Sequence, residues 1–259
     1  MKRIAIVSGL RTPMARAGGK FSPYQVDTLG ARLMRELMLR SPISFDEVDE
    51  VIVGNVAQPI HAANVARVIA LRAGFPESTP AVTVHRNCAS GMESITTAAT
   101  KIHAKEGKIY LCAGVESMSN IPLVYNLQMT NFFSSLNRSR TALAKVKTLL
   151  GFRPTFLKPI VGLMSGLTDP VTGLLMGSTA EILARDFGIS REEQDKFALK
   201  SHQKAFKAQQ KARFSQESMA FTYDEQKGKV LDFDDGIRET LTLERLAKLK
   251  PFFDKKMER

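Results

Sequence analysis

The chain has 259 residues, with 37 Lys and Arg against 26 Asp and Glu, a formal charge of +11, and 44% hydrophobic residues. That balance excludes a disordered or fibrous chain, and the length admits one large domain or two small ones with ample apolar material for a core. Two cysteines make no disulfide framework and fit a reducing compartment.

The surplus cations are dispersed. No zinc-ligand spacing, RNA-binding aromatic signature or compact basic block accompanies them, so a nucleic-acid partner is not expected. Two readings of the charge remain open, a solvated basic surface and attraction for a phosphate-bearing ligand. The opening Met1-Lys-Arg-Ile-Ala-Ile-Val-Ser8 has too short an apolar run for a signal peptide and passes directly into fold-like pattern. A cytoplasmic, bacterial-type chain is expected.

Arg3 to Ser8 suits a buried strand. Residues 27 to 39 place apolar side chains at 29, 33, 34, 37 and 38, the spacing of an amphipathic helix, with Asp27 as its expected cap. Val51 to Val53 is a second strand. Asn64 to Ala73 reads as a helix capped by Asn64 and closed by Gly74, with Pro76 beyond. Ala81 to Val84 is a third strand, and from Cys88 onward Met92, Ile95, Ala99 and Ile102 fall at helical spacing. Ile109 to Ala113 is a fourth strand. Strands alternating with helices imply right-handed crossovers and an α/β fold, a mostly parallel sheet covered by helices on both faces.

From about Asn120 the strand-helix rhythm stops. Phe132 to Phe156 interleaves Arg138, Arg140, Lys145, Lys147 and Arg153 with Leu136, Leu143, Val146, Leu149, Leu150 and Phe152. Helical spacing gives this stretch an apolar stripe and a cationic face, either an interfacial or partner-docking helix or an ordinary surface helix. It falls short of the roughly 20 uninterrupted apolar residues of a transmembrane helix. A helix begins at Gly177, and Ser190-Arg-Glu-Glu193 is a capping box opening another toward Gln210.

Cys88 stands where a strand runs into a helix, at the carboxyl end of the strand, where ligands bind in open α/β sheets. The helix N-terminus favours an anion and hence the thiolate, which is the nucleophile. A buried structural cysteine is the competing reading. His85 stands close enough in sequence to be considered as a base, but strand alternation does not settle its face. His61, His103 and His202 have no acid or second ligand at matching spacing.

Asn87-Cys88-Ala-Ser-Gly-Met92 together with Cys112-Ala-Gly-Val-Glu-Ser-Met-Ser119 resembles the nucleophile region of the thiolases, which make or cleave 3-oxoacyl-CoA. Further family-like phrases follow in order: Arg11-Thr-Pro13 with Gly18-Gly-Lys-Phe21, Gly166-Leu-Thr-Asp169, and Met176-Gly-Ser-Thr-Ala-Glu181. Ile189-Ser-Arg-Glu-Glu-Gln-Asp195 and Leu246-Ala-Lys-Leu-Lys-Pro-Phe252 complete the set, so the resemblance spans nearly the whole chain.

The resemblance implies a thiolase-like fold: a thiolase N-terminal α/β domain over 1–119, a loop domain with the basic insertion over 120–245, and a return segment over 246–259. The insertion is similar to the longer loop of fatty-acid-oxidation thiolases, including trifunctional-complex β subunits. Cys88 matches the nucleophile that takes the acyl group as a thioester. Leu167 and Met176 match positions lining the pantetheine tunnel, and Arg238 in Asp234-Asp-Gly-Ile-Arg238 matches a residue near the CoA nucleotide. No metal or separate cofactor is implied, because coenzyme A thioesters are the substrates.

The family also uses a Gly-His-Pro histidine, an asparagine at the thioester oxygen and a cysteine in a Cys-x-Gly-Gly-Gly turn, and residues 1–259 contain none of these motifs. By resemblance, the last strand of the first half and the second half lie outside these residues, which by themselves are expected to be inactive. Expected partners are acyl-CoA, a homo-oligomer or the second thiolase half, and a β-oxidation complex partner or an anionic membrane surface. The alternative to an acyltransferase is a non-catalytic acyl-CoA-binding or complex-assembly module.

Overall fold

The computed structural model describes residues 3–253, so the end of the expected 246–259 return segment lies outside the described residues. These residues fall into two compact units, 3–120 with 195–246 and 121–194 with 247–253. Residues 195–246 group with residues 3–120, although 195–245 fall in the sequence range assigned to the loop domain.

The first unit is built on a three-stranded parallel sheet. Its strands are β1 (Glu50–Gly54), β2 (Ala81–Val84) and β3 (Tyr110–Gly114), in the order β2-β1-β3. Helices α1 (Val26–Arg40), α2 (Val65–Ala73) and α3 (Ser90–His103) alternate with them. β1 is central, and its Val51, Ile52 and Val53 are fully buried, which is why this segment reads as a continuous apolar run. Val51 and Val53 join the core formed with α1 and α2. The opposite face is covered by α3, which packs on β1 and β3.

α2 forms as its signals require. The Asn64 side chain accepts from the Arg67 amide, and Gly74 closes the helix in the left-handed region at φ 105°. α1 departs from expectation at its start. Gln25, not Asp27, is the N-cap residue, and Asp27 is fully buried in the first turn, where its carboxylate meets Arg72 and His61. An ion-paired carboxylate inside the helix has replaced the expected cap.

Arg3 to Ser8 forms no strand: it has no ladder partner among the described residues, and Ile6 and Val7 are exposed. The described sheet therefore has three strands where four were expected. The N-terminal segment is fixed only from Arg11, whose amide donates to Glu217 O at 2.7 Å and whose carbonyl accepts from Met219 at 2.9 Å. A hairpin of β6 (Phe221–Asp224) and β7 (Lys229–Leu231) follows, and it buries Phe221 and Leu231 against Phe21 and Leu29. This packing draws residues 195–246 to the first unit. Arg32 stacks on Phe221 and Tyr24, 5.1 Å from each ring centroid.

In the second unit, β4 (Leu123–Val124) pairs antiparallel with β5 (Ile160–Val161). Between them the single amphipathic stretch expected over 132–156 is two helices, α4 (Leu127–Arg138) and α5 (Ala142–Leu150), followed by a 3-10 turn over Pro154–Leu157. Ser139 ends the first helix, and the Thr141 side chain caps the second by accepting from the Ala144 amide at 3.2 Å. Helices α6 (Gly162–Leu167) and α7 (Met176–Asp186) follow, and α8 (Arg191–Gln210) begins at the Ser190 capping box. A short α9 spans Leu243–Ala247.

Phe221 is 1% exposed at the centre of the second hydrophobic cluster, so Phe221→Ala should cost about 3–5 kcal/mol of stability. Urea unfolding monitored by circular dichroism checks this, and a loss below 1 kcal/mol would contradict the packing.

Candidate active site

The feature that places Cys88 is a close approach at the carboxyl ends of the strands. Gly54 ends β1, Gly114 ends β3, and the two are paired in register. A Cβ on Gly54 would lie 2.1 Å from Ser90 O and 2.7 Å from the Gly91 amide nitrogen. One on Gly114 would lie 3.0 Å from Gly91 Cα. The first turn of α3 therefore rests directly on backbone, which only residues without a Cβ permit.

The same contact decides which face of α3 is buried. Ser90, Ser94 and Ala98, at i, i+4 and i+8, point to the sheet, while Met92 and Ile95 are exposed. The expected stripe of Met92, Ile95, Ala99 and Ile102 is thus not the buried face: small residues are needed where helix and strands meet this closely. α3 begins at Ser90, two residues past Cys88.

Cys88 sits in the turn between β2 and α3, and it is exposed. Asn87 is held at φ 45°, a left-handed conformation that non-glycine residues adopt uncommonly. The turn is closed by Ser90, whose Oγ accepts from the Arg86 amide at 2.9 Å and donates to Asn87 O at 2.7 Å. Arg86 and Glu93 add a bidentate pair at 2.5 and 3.0 Å, which holds the Glu93 carboxyl below its ordinary range. His85 turns back along the chain, its Nδ1 3.5 Å from the Asn87 amide, and no hydrogen bond to Cys88 is formed.

Beneath the turn, the β1 and β3 exits are tied together. The Asn55 side chain donates to Val115 O at 2.9 Å and to the Glu116 carboxylate at 3.3 Å, and that carboxylate also accepts from the Val56 and Ala57 amides. Cys112 is a different kind of thiol. On the α3 face of β3, its Sγ donates to Ser94 O at 3.4 Å. Burial, with Glu50 adding to it, pushes its pKa up to about 11.

Arg238 belongs to the same unit as Cys88 and is exposed, in the segment after β7. Its amide donates to His202 Nδ1 at 3.2 Å, a partner for His202 that sequence spacing did not show. Just before it, Asp234 accepts two bonds from the Arg11 guanidinium at 2.8 and 3.1 Å and one from the Met14 amide, and Asp235 accepts from the Arg16 amide. Two phrases noted separately in the sequence, Arg11-Thr-Pro13 and Asp234-Asp-Gly-Ile-Arg238, form one ion-paired structure.

Leu167 and Met176 lie in the other unit, at the end of α6 and the start of α7. The loop between them is closed by a Thr168–Leu175 bridge and by Asp169, whose carboxylate accepts from the Val171 and Thr172 amides at 2.7 and 2.9 Å. Those bonds, that from Thr172 foremost, hold the Asp169 carboxyl below its ordinary range. Leu167 and Met176, which flank the bridged pair, are both exposed.

A family model described as "Thiolase, N-terminal domain" matches residues 4–257. A "Probable acetyl-CoA acyltransferase" of Staphylococcus aureus (strain COL) is 37% identical over 258 residues, covering 98% of this chain and 61% of the relative. The same-named protein of strain bovine RF122 / ET3-1 is 35% identical with the same coverage. The crystal structure of the Bacillus anthracis acetyl-CoA acetyltransferase matches with a TM-score of 0.82 at 32% identity, over 96% of this chain and 59% of that one. The chain thus spans about 61% of the length of the curated relatives it matches.

With limiting iodoacetamide at neutral pH, peptide mass mapping should show Cys88 alkylated well ahead of Cys112, and preferential labelling of Cys112 would contradict the site. Cys112 also sets a pH dependence. Folded, it keeps its proton to about 11, whereas its ordinary value is 9.0. Its contribution to stability is therefore intact below 9.0 and lost as the pH rises toward 11. Cys112→Ala should flatten that alkaline decline in urea unfolding, and an unchanged decline would remove Cys112 as its cause.

Proposed function

The chain belongs to the thiolase family, and on that premise we propose that it serves as an acyl-CoA C-acyltransferase in which Cys88 is the acyl acceptor. The observation that carries this reading is an exposed thiol in a rigid turn at the carboxyl end of a parallel strand and ahead of a helix N-terminus. The Cys88 thiol gives up its proton, its sulfur attacks the thioester carbonyl, the bond to the CoA sulfur breaks, and the departing CoA thiolate takes up that one proton to leave as its thiol. The Cys88 amide would help hold the oxyanion formed on the way. Thiol chemistry supplies this step with no cofactor other than the coenzyme A of the substrate.

Leu167 and Met176 would line the pantetheine arm, and Arg238 would meet the CoA nucleotide, where a guanidinium suits phosphate. The Arg11–Asp234 and His202–Arg238 contacts support this assignment by fixing the segment that carries Arg238. In a carbon–carbon bond-forming step, the enolate of a second acyl-CoA would displace Cys88 from the acyl carbon. That step needs a base, and no residue of 1–259 stands in the family's Gly-His-Pro or Cys-x-Gly-Gly-Gly motif. Acyl-enzyme formation is the part of the reaction these residues carry, and they are proposed to be inactive in full turnover by themselves. In the cell we place the activity in the cytoplasm, in fatty-acid β-oxidation or acetoacetyl-CoA metabolism, as an oligomer.

Incubation with acetyl-CoA or acetoacetyl-CoA, acid quench and peptide mapping should find the acetyl group on Cys88. Cys88→Ser should reduce acylation by about three orders of magnitude or more. Acyl-CoA binding with no adduct at Cys88 would favour the acyl-CoA-binding module, and full thiolysis by residues 1–259 would show that another group, with His85 the first to test, acts as base.

A further inference from the structure

His202 on α8 holds the stretch of chain that carries Arg238. Between Asp235, whose amide donates to Met14 O at 3.1 Å, and Thr240, whose carbonyl accepts from the Arg245 guanidinium at 2.9 Å, the chain forms neither helix nor strand. Among the described residues, Gly236 to Glu239 make one hydrogen bond, from the Arg238 amide to His202 Nδ1 at 3.2 Å. Gly236 has open space where a side chain would stand, and Arg238 and Glu239 are exposed. With so few contacts, the place of Arg238 depends on that bond.

The bond specifies a protonation state. A backbone N–H only donates, so Nδ1 must offer a lone pair and the ring proton sits on Nε2. In the imidazolium both nitrogens carry hydrogen, and two N–H groups would then face each other. Histidine is the side chain that makes this change between about pH 8 and about pH 5. On α8 the residues three and four places from His202 are Ala198, Leu199, Ala205 and Phe206, none of them charged. On the segment that meets it, Asp234 and Asp235 are engaged by Arg11 and Arg16, and the other charged groups are Asp232, Arg238 and Glu239. No carboxylate among the described residues is bonded to the ring.

We propose, on the reading of Arg238 as the residue that meets the CoA nucleotide, that His202 is a positioning residue for Arg238 and that its protonation releases this stretch and weakens acyl-CoA binding. A guanidinium aligned on phosphate loses less freedom on binding when its backbone is already held, and the neutral ring holds it. By charge alone an imidazolium would tighten the hold on phosphate, so the two effects have opposite signs. The local effect prevails, because the lost bond is made to Arg238 itself, whereas the charge of a half-buried ring is screened by solvent and salt. Linkage makes the effect reciprocal: a bound nucleotide favours the neutral ring.

Two measurements on the full chain, taken from about pH 8 to about pH 5.5, test this. By nuclear magnetic resonance, the Arg238 amide should shift with the His202 ring as it titrates, with the same midpoint. The dissociation constant for desulfo-CoA, which lacks the thiol and spares Cys88, should rise about fivefold more in the parent than in His202→Asn over that range. The asparagine oxygen accepts the same bond and does not titrate, while the variant shares the parent's other histidines and the titration of the ligand's 3′-phosphate. His202→Leu, with no acceptor, should bind about fivefold more weakly than the parent at about pH 8 and lose no more in acid than His202→Asn. Circular dichroism checks that both variants are folded. An Arg238 amide that ignores the ring overturns the proposal by removing the proton-linked contact. If the amide follows the ring but parent and His202→Asn lose affinity alike, or the parent binds no desulfo-CoA at any pH, the reading of Arg238 fails and the proposal with it. Tighter binding by the parent in acid would mean that the ring acts by its charge, which also overturns it.

Discussion

The structure around Cys88 depends on a contact between backbones. Gly54 and Gly114, one strand apart and in register, leave no Cβ under the first turn of α3, so Ser90 and Gly91 settle onto the strand ends. From this follow the small buried face of α3, the outward turn of Met92 and Ile95, and the tight path from Arg86 to Ser90 that exposes the Cys88 thiol. The strands themselves are pinned at both ends. Asp49 accepts from the Lys108 and Ile109 amides where β1 and β3 begin, and Asn55 with Glu116 joins them where they end. A sheet fixed at entry and exit is a rigid base for the turn that carries Cys88, which loops alone would not provide.

Much of this arrangement was legible in the sequence, and the parts that were not have a common cause. The α2 boundaries follow from Asn64 and Gly74, and the strand-to-helix position of Cys88 from the change of periodicity at residue 88, because these signals are local. The buried face of α3 could not be read from α3, since the demand for small residues comes from Gly54 and Gly114, each brought to it only by strand pairing. Gly114 following an apolar strand and Gly91 early in a helix were the available signal, and each alone is weak. The Arg11–Asp234 pair joins residues 223 apart, and the His202–Arg238 contact depends on the path of the chain after β7. Asp27 misled in the opposite sense, because a cap-type residue at a helix start is also what a buried ion pair uses.

The two units illustrate different uses of apolar sequence. In the first, Val51 and Val53 of the central strand vanish into the core with α1 and α2, and Ile52 lies buried on the face that carries α3. In the second, leucines at helical spacing in α5 remain on the surface while phenylalanines form the cluster. Hydrophobic periodicity establishes that a helix has an apolar side, and only packing establishes which way that side turns.

The central claim is that the close backbone approach under α3 sets the reactivity of Cys88, and its most direct measurement is the acetylation rate of Cys88 in Gly54→Ala beside the unfolding free energy of the same protein. A methyl group there must displace Ser90 and the turn, so the account predicts acetylation slowed by about a hundredfold in protein that remains folded. Gly114→Ala, with its milder approach of 3.0 Å, should show a smaller loss and serves if the first variant does not fold. Acetylation at the parental rate in either folded variant, with a changed stability alone, would contradict the account.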